Sequence, residues 1–302
     1  ATAQTPASGA ELILFAGERR GVAAGGRFLP EARRAAPCAG QGRIDLHALA
    51  AMIDGPVVLA LQAANSETGV IQPVAEAAAL VHARGGVVIC DAVQAAGRIA
   101  FGLETWGADW ALVSAHKLGG PPGVGALIGR GAFPPEAALV RGGGQERGAR
   151  AGTPNAPALA GFGAAAREAL AARETEAARL AALRDGFEEA LREAIPDLVI
   201  FGEGAARLPN TSCFAVPGLA ARTALMALDL AGVAASSGSA CSSGKIGRSA
   251  TLAAMGVTPD MAEGALRFSF GWSSSEAQSV GIAGIVRETL AKLLARRSKT
   301  AA

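Results

Sequence analysis

Short apolar runs alternate with helically spaced segments along the first half of the chain. Leu12 to Phe15, Val57 to Gln62, Val87 to Cys90 and Ala111 to Val113 are nearly continuous in apolar residues, the pattern of short strands buried on both faces. Between the second and third, Val74 to Arg84 repeats its apolar positions at helical spacing and meets a stop at Gly85-Gly86. This strand–helix–strand order predicts a parallel sheet covered on both faces. A Pro121-Pro122-Gly123 turn leads into a further strand, Gly123 to Ile128.

Beyond this the pattern changes. Residues 155 to 194 are rich in Ala, Arg and Glu and predict one or two long helices, with Gly161 or Gly163 as a candidate break. Strands follow near Val199 to Phe201 and Ser212 to Val216, then a helix over Arg222 to Ala231 and a glycine/serine loop over Ser236 to Gly244. A strand over Ala265 to Phe270 and a helix from Ser275 complete the chain. The reading is a large α/β domain over residues 1–160, then a connecting helix and a smaller α+β domain over residues 161–302. No internal repeat is visible.

Composition narrows the function. With 28 basic and 26 acidic side chains among 302 residues, the formal charge of +2 gives no electrostatic case for nucleic acid or a membrane surface. No stretch reaches the roughly 18 uninterrupted apolar residues of a membrane-spanning helix, and the first residues lack a secretory pattern. The four cysteines, Cys38, Cys90, Cys213 and Cys241, form no CxxC pair, which argues against a zinc site or a disulfide scaffold and for a reducing, cytoplasmic setting. Lysine is used only at Lys117, Lys245, Lys292 and Lys299, against two dozen arginines. An amine can form a Schiff base and a guanidinium cannot, so a lysine in the glycine-rich, apolar setting of Lys117 invites a chemical explanation.

Asp91-Ala-Val-Gln94 follows one buried strand and Ser114-Ala-His116-Lys117 follows the next. In open parallel sheets ligands bind beyond the carboxyl ends of strands, where these side chains emerge. Pyridoxal phosphate (PLP) needs a lysine to hold it, a carboxylate beside its ring nitrogen and donors for its phosphate. Lys117, Asp91 and Ser114 are of the right types. An Asp at a strand end is, taken alone, often a helix cap. The whole Asp–Gln–Ser–His–Lys set makes a cap-only reading insufficient.

Asn65-Ser-Glu-Thr-Gly69, Asp91-Ala-Val-Gln94, Ser114-Ala-His-Lys117, the segment Gly142 to Thr153, Ser236-Ser-Gly-Ser-Ala-Cys241 and Leu266-Arg267-Phe-Ser269 resemble, in order and spacing, the motifs of NifS/IscS-like cysteine desulfurases. The resemblance runs from about residue 11 to the C-terminus. It implies the α/β architecture of fold type I PLP-dependent transferases, with a mainly parallel sheet in the large domain. By that resemblance, Lys117 is the Schiff-base lysine, Asp91 the partner of the pyridine nitrogen and Gln94 a contact of the ring hydroxyl. Ser114 and His116 contact the phosphate, and Thr153 reaches the phosphate of a neighbouring subunit, which implies a homodimer. Asn65 lies near the ring and the substrate carboxylate, and Arg267 pairs with that carboxylate, a task suited to a planar guanidinium. Cys241 is the nucleophile that takes sulfur from L-cysteine, leaving L-alanine and an enzyme persulfide. A Ser/Gly/Ala loop suits a thiol that must ionise and travel. The sulfur then passes to an acceptor such as an iron–sulfur scaffold protein. Cys90 and Cys213 read as buried, inert thiols, and Cys38 has no assigned role.

Two departures qualify this expectation. The family carries an N-terminal segment with a Gly-Ala-Thr-Glu-type phosphate loop, and the chain starts after the place for it, so the resemblance implies an N-terminally incomplete chain. At Gly17-Glu-Arg-Arg-Gly-Val22 the family reads Glu-His-Lys-Ala-Val, and Arg19 stands where the ring-stacking His would be. An arginine can stack but cannot act as a general base. The alternatives are therefore a selenocysteine lyase or sulfinate desulfinase on the same fold, and a non-catalytic dimeric scaffold. Retention of Lys117, Asp91, Cys241 and Arg267 together opposes the scaffold, which needs none of them.

Overall fold

The structure is a computed structural model that describes residues 11–131, 138–238 and 249–300, with side chains described as far as residue 296. It divides into two compact units: residues 1–38, 43–64 and 72–174, and residues 39–42, 65–71 and 175–302.

The first unit is built on six strands: β1 (Glu11–Phe15), β2 (Arg33–Ala36), β3 (Val57–Gln62), β4 (Val87–Asp91), β5 (Trp110–Ser114) and β6 (Gly125–Gly129). Their order is β2-β1-β3-β4-β5-β6. The first five run parallel and β6 pairs antiparallel with β5. Alternation along each strand supplies both faces. Ile13, Phe15, Leu59, Leu61, Val88, Cys90, Ala111 and Val113 enter the main core, whereas Leu12, Leu14, Ala60 and Phe28 form a smaller cluster. That two-sided burial explains why these strands read as continuous apolar runs.

Short helices α1 (Arg20–Ala23), α2 (Leu46–Met52), α3 (Val74–His82) and α4 (Leu103–Trp106) occupy the connections. Asp45 caps α2 by accepting from the Ala48 N–H at 2.9 Å. In α3 the spacing seen in the sequence buries Val74, Ala77, Ala78 and Val81 against the main core. The chain leaves α3 through Gly85, whose φ of +71° lies in the left-handed region.

Strand β2 has no apolar run to betray it. Its arginines suit the sheet edge: Arg34 pairs with Glu11 at 2.5 Å and donates to the Met52 carbonyl at 2.6 Å.

Helix α5 (Ala156–Ala194) contributes to the first unit up to Glu174 and to the second from Thr175. It is one continuous helix, so the break considered at Gly161 or Gly163 is not there. Gly161 is used for close approach instead: a Cβ at this position would stand 2.7 Å from Pro121 Cγ.

The second unit holds a four-stranded sheet, β7 (Val199–Ile200), β8 (Thr211–Ala215), β9 (Ser236–Ser237) and β10 (Leu266–Ser269), in the order β7-β8-β10-β9 with every pair antiparallel. Ser236 and Ser237, read as the start of a loop, are thus an edge strand paired with Arg267 and Leu266. Helices α6 (Ala221–Leu230), α7 (Ala250–Ala254), α8 (Pro259–Glu263) and α9 (Glu276–Thr300) complete the unit.

Its core is aromatic. Phe187 of α5 lies 5.0 Å from Phe268 and 6.2 Å from Phe214, and Phe214 and Phe268 stack with their ring centres 5.6 Å apart. Beside it, Glu188 and Arg207 form a two-pronged ion pair at 2.7 and 2.8 Å, with side chains only 2% and 7% exposed. Leaving either charge without the other is costly in so dry a place. Glu188→Ala is therefore expected to lower the free energy of unfolding by about 3–5 kcal/mol in urea titrations, whereas replacing the pair together, by Leu at 188 and Met at 207, costs much less. An E188A loss below about 1 kcal/mol would mean that the pair behaves like one on the surface.

Candidate functional site

In the first unit the carboxyl ends of β1, β3, β4 and β5 all leave the same side of the sheet, because parallel strands end together. Strand β4 finishes in Cys90 and Asp91. Cys90 is buried, and burial, with the negative charges of Asp91 and Glu18 beside it, pushes its thiol far above the usual range. Asp91 is half-buried and faces a cavity of about 180 Å³ lined by Gly21, Val22, Ala60, Leu61, Ile89 and Leu112. Its Oδ1 accepts from the Val93 N–H at 3.0 Å. Burial raises the Asp91 carboxyl above its ordinary value, against the opposing pull of that N–H and of the Arg19 guanidinium. Gln94 lies in the turn that follows, also half-buried.

Strand β5 delivers Ser114, His116 and Lys117. Ala115 to Lys117 form one 3₁₀ turn, and the Ser114 hydroxyl and His116 Nδ1 are 2.8 Å apart. His116 is exposed, whereas Ser114 and Lys117 are half-buried. The structure thus brings Asp91, Gln94, Ser114, His116 and Lys117 to the ends of two adjacent strands. Thr153 sits apart, exposed in the stretch before α5. That stretch contains two consecutive non-glycine residues in the left-handed region, Glu146 (φ 51°) and Arg147 (φ 57°), a conformation held at some energetic cost.

Two residues not singled out from the sequence as parts of a site join this group. Arg98 spans it: Nη1 donates to the Gln94 carbonyl at 2.9 Å and Nη2 to the Lys117 carbonyl at 3.0 Å. One guanidinium therefore fixes the turn after β4 to the turn after β5. Its position four residues beyond Gln94 was the available signal, but nothing in the sequence shows the second carbonyl. The other is Glu18, 5% exposed at the end of β1, which accepts from the main-chain N–H groups of Gln62 and Arg19. Burial of the Glu18 carboxyl is not written in any local pattern of the sequence.

The second unit carries the residues assigned to the substrate carboxylate. Asn65 is buried, and its Oδ1 accepts from the N–H groups of Glu67 (2.8 Å) and Thr68 (3.0 Å) while Nδ2 donates to Thr251 Oγ at 3.1 Å. Arg267, half-buried on β10, donates from Nη1 to the Ser66 carbonyl at 2.9 Å. Glu67 accepts from the Ser249 hydroxyl at 2.5 Å. The Asn65–Gly69 turn is thus knit to β10 and to the start of α7. Cys241, the expected nucleophile, lies outside the described residues. Cys213, on β8 opposite Arg267, is fully buried, and burial pushes its thiol up to about 12, which suits an inert group. Cys38 is half-buried and forms an isolated antiparallel bridge with Ile44.

Among the described residues no three His, Cys, Asp or Glu side chains gather as a metal site, and no helix is long and apolar enough to cross a membrane.

Comparison with known proteins gives a consistent picture. The family described as Aminotransferase class-V matches residues 33–279. A protein of Sinorhizobium fredii named cysteine desulfurase is 38% identical over 255 residues, which cover 84% of this chain and 65% of the relative. The chain therefore spans just under two thirds of that relative's length. Among solved structures, a NifS-like protein from Rickettsia africae superposes with a TM-score of 0.84 at 27% identity, covering 93% of this chain and 76% of the other. A second NifS-like protein gives 0.83 at 30% identity, covering 93% and 75%. The fold type I architecture expected from the motifs is borne out by these superpositions. The extent of the family match, together with NifS-like structures that follow nearly the whole chain, establishes that this chain belongs to the class-V aminotransferase family, among its NifS-like members.

Proposed function

We propose that the chain serves a PLP-dependent cysteine desulfurase, which converts L-cysteine to L-alanine and passes the sulfur on through a persulfide at Cys241. The observation that carries this reading is the Asp91–Lys117 pair of strand ends, held together by Arg98 across the Gln94 and Lys117 carbonyls. A desolvated carboxyl, a lysine amine and the Ser114–His116 couple are the donor set that the cofactor needs, so the residues present fit it. The names of the relatives support a desulfurase over a selenocysteine lyase, a sulfinate desulfinase or a scaffold.

Each residue has a task that follows from its chemistry. Lys117 would hold the cofactor through its amine, Asp91 would keep the ring nitrogen protonated, and Gln94 would donate to the ring oxygen. Ser114 and His116 would bind phosphate, with Thr153 serving the phosphate of a second subunit in a homodimer. When bound, the cofactor supplies the electron sink that makes the substrate's Cα–H bond acidic. Lys117 is the base at hand for that proton. Arg267, steadied by the Ser66 carbonyl, and Asn65 would orient the substrate carboxylate.

Cys241 Sγ, as thiolate, would attack the substrate sulfur. The S–S bond forms as the Cβ–S bond breaks, and Cβ gains a proton, so cysteine plus thiol become alanine plus persulfide with no external oxidant. The acceptor of that sulfur would be a protein such as an iron–sulfur scaffold, in the cytoplasm.

Adding PLP to the purified chain is expected to give a visible absorption band that changes with L-cysteine and disappears in Lys117→Ala. Cys241→Ala should retain the band but form no persulfide and little alanine. Absence of any Lys117-dependent band would overturn the assignment for this chain. Arg267→Lys should raise KM for cysteine roughly 10- to 100-fold, as expected when a single point charge replaces a two-pronged pair, with kcat changed far less. An unchanged KM would remove Arg267 from the substrate site.

A further inference from the structure

The Asn65–Gly69 turn holds itself without the Glu67 side chain. Asn65 Oδ1 takes the N–H groups of Glu67 and Thr68, and the Gly69 N–H donates to the Asn65 carbonyl at 3.0 Å. The Glu67 carboxylate is used elsewhere. Its Oε2 accepts from the Ser249 hydroxyl at 2.5 Å, and that hydroxyl in turn accepts from the Leu252 N–H at 3.0 Å, which caps α7. Ser249 is buried, so the carboxylate fixes which way the capping hydroxyl turns. A Cβ placed on Gly238 would stand 3.6 Å from the same Oε2, so Gly238, directly after β9, also lies against this carboxylate. The Gly238 N–H donates to the Ala265 carbonyl at 3.0 Å, and the β9–β10 register sets Ser236 opposite Arg267. One side chain therefore stands both where the chain leaves β9 and where it enters α7. The chain between those two points carries Cys241.

We propose that Glu67 is a positioning residue for sulfur transfer: by joining the end of β9 to the start of α7, it fixes both ends of the segment that carries Cys241 beside the residues given to the substrate carboxylate. The inference rests on the desulfurase reading and gives a task to a residue which that reading leaves without one. Cys241 is three residues past Gly238, and three residues span at most about 11 Å. The place of Gly238 therefore bounds where the thiol can be. A segment held at both ends explores less space than one held at a single end, which favours encounter of the thiol with the substrate sulfur. The Ser66 carbonyl that receives Arg267 directly precedes Glu67, so the carboxylate-binding guanidinium and the ends of the Cys241 segment are tied to one turn. A cap alone does not ask for this arrangement. Any acceptor satisfies the Ser249 hydroxyl proton, whereas a side chain reaching across from the turn at 65–69 also joins the two ends.

The experiment compares the parent with Glu67→Gln, Glu67→Ala, Ser249→Ala and the combined Glu67→Ala/Ser249→Ala variant in two readouts. In the chain without cofactor, amide hydrogen exchange at Leu252 and Gly238 is expected to quicken together in Glu67→Ala, while the amides of β8 keep their rates. With PLP and L-cysteine, Glu67→Ala should keep the absorption band and a KM within about 3-fold of the parent. Persulfide at Cys241 should form roughly 10- to 100-fold more slowly in a single turnover. Glu67→Gln still accepts from Ser249 and should recover most of that rate. Ser249→Ala should slow it too, and adding Glu67→Ala should cost little more, because both remove one link. Persulfide formation at the parent's rate in Glu67→Ala would overturn the proposal. So would equal losses of band, KM and persulfide, the mark of a residue needed only for the fold. Exchange that quickens at Leu252 but not at Gly238 would reduce Glu67 to support of the cap and overturn it as well. A parent that forms no persulfide sinks the desulfurase reading and the proposal with it, whereas an active parent with an indifferent Glu67→Ala removes Glu67 alone.

Discussion

Parallel pairing of β1, β3, β4 and β5 is the constraint on which the first unit depends. Strands that run the same way bring their last residues to one side, and those residues cannot be covered by the alternating apolar faces that fill the core. Gln62, Asp91 and Ser114 therefore emerge together, and the chain has to satisfy them there. Glu18 serves the Gln62 N–H, the Val93 N–H serves Asp91, and His116 serves Ser114. Chemistry accumulates at this edge because the polar groups have nowhere else to go.

The second unit solves a different problem. Its sheet is antiparallel and its strands short, so a compact aromatic cluster around Phe187 and a buried ion pair do the work that long strands do in the first. The Asn65–Gly69 turn, far away in sequence, is tied into this unit through Thr251, Ser249 and Arg267. The residues given to the substrate carboxylate are thus held by their own local network. Asn65 turns its amide oxygen to that turn and its nitrogen to Thr251, so the turn fixes the orientation of the side chain.

What could be read beforehand follows from the range over which each signal acts. Strands buried on both faces announce themselves as apolar runs, and β3 falls on Val57 to Gln62 as read. Strand β2 could not be seen, since Arg33 and Arg34 are edge residues whose partners, Glu11 and the carbonyls of Phe28 and Met52, are supplied by tertiary structure. Glycine misled at Gly161, where a helix-weakening residue is kept for contact with Pro121. Lys117 stands out because lysine is scarce in this chain, and Asp91 because Gln94, Ser114, His116 and Lys117 accompany it. Glu18 and Arg98 do not, because a buried acid and a bridging guanidinium look like any surface charge until the fold is known.

Arg98 also limits how the protein can change. Its two nitrogens reach two carbonyls on separate turns, a span that depends on the width of a planar fork. Lysine keeps the charge but donates from a single nitrogen on a flexible stem, so it loses the preset spacing of the fork that meets both carbonyls. The exchange that is mildest on most surfaces is therefore not conservative here, and the two turns are coupled in sequence through the side chain that joins them.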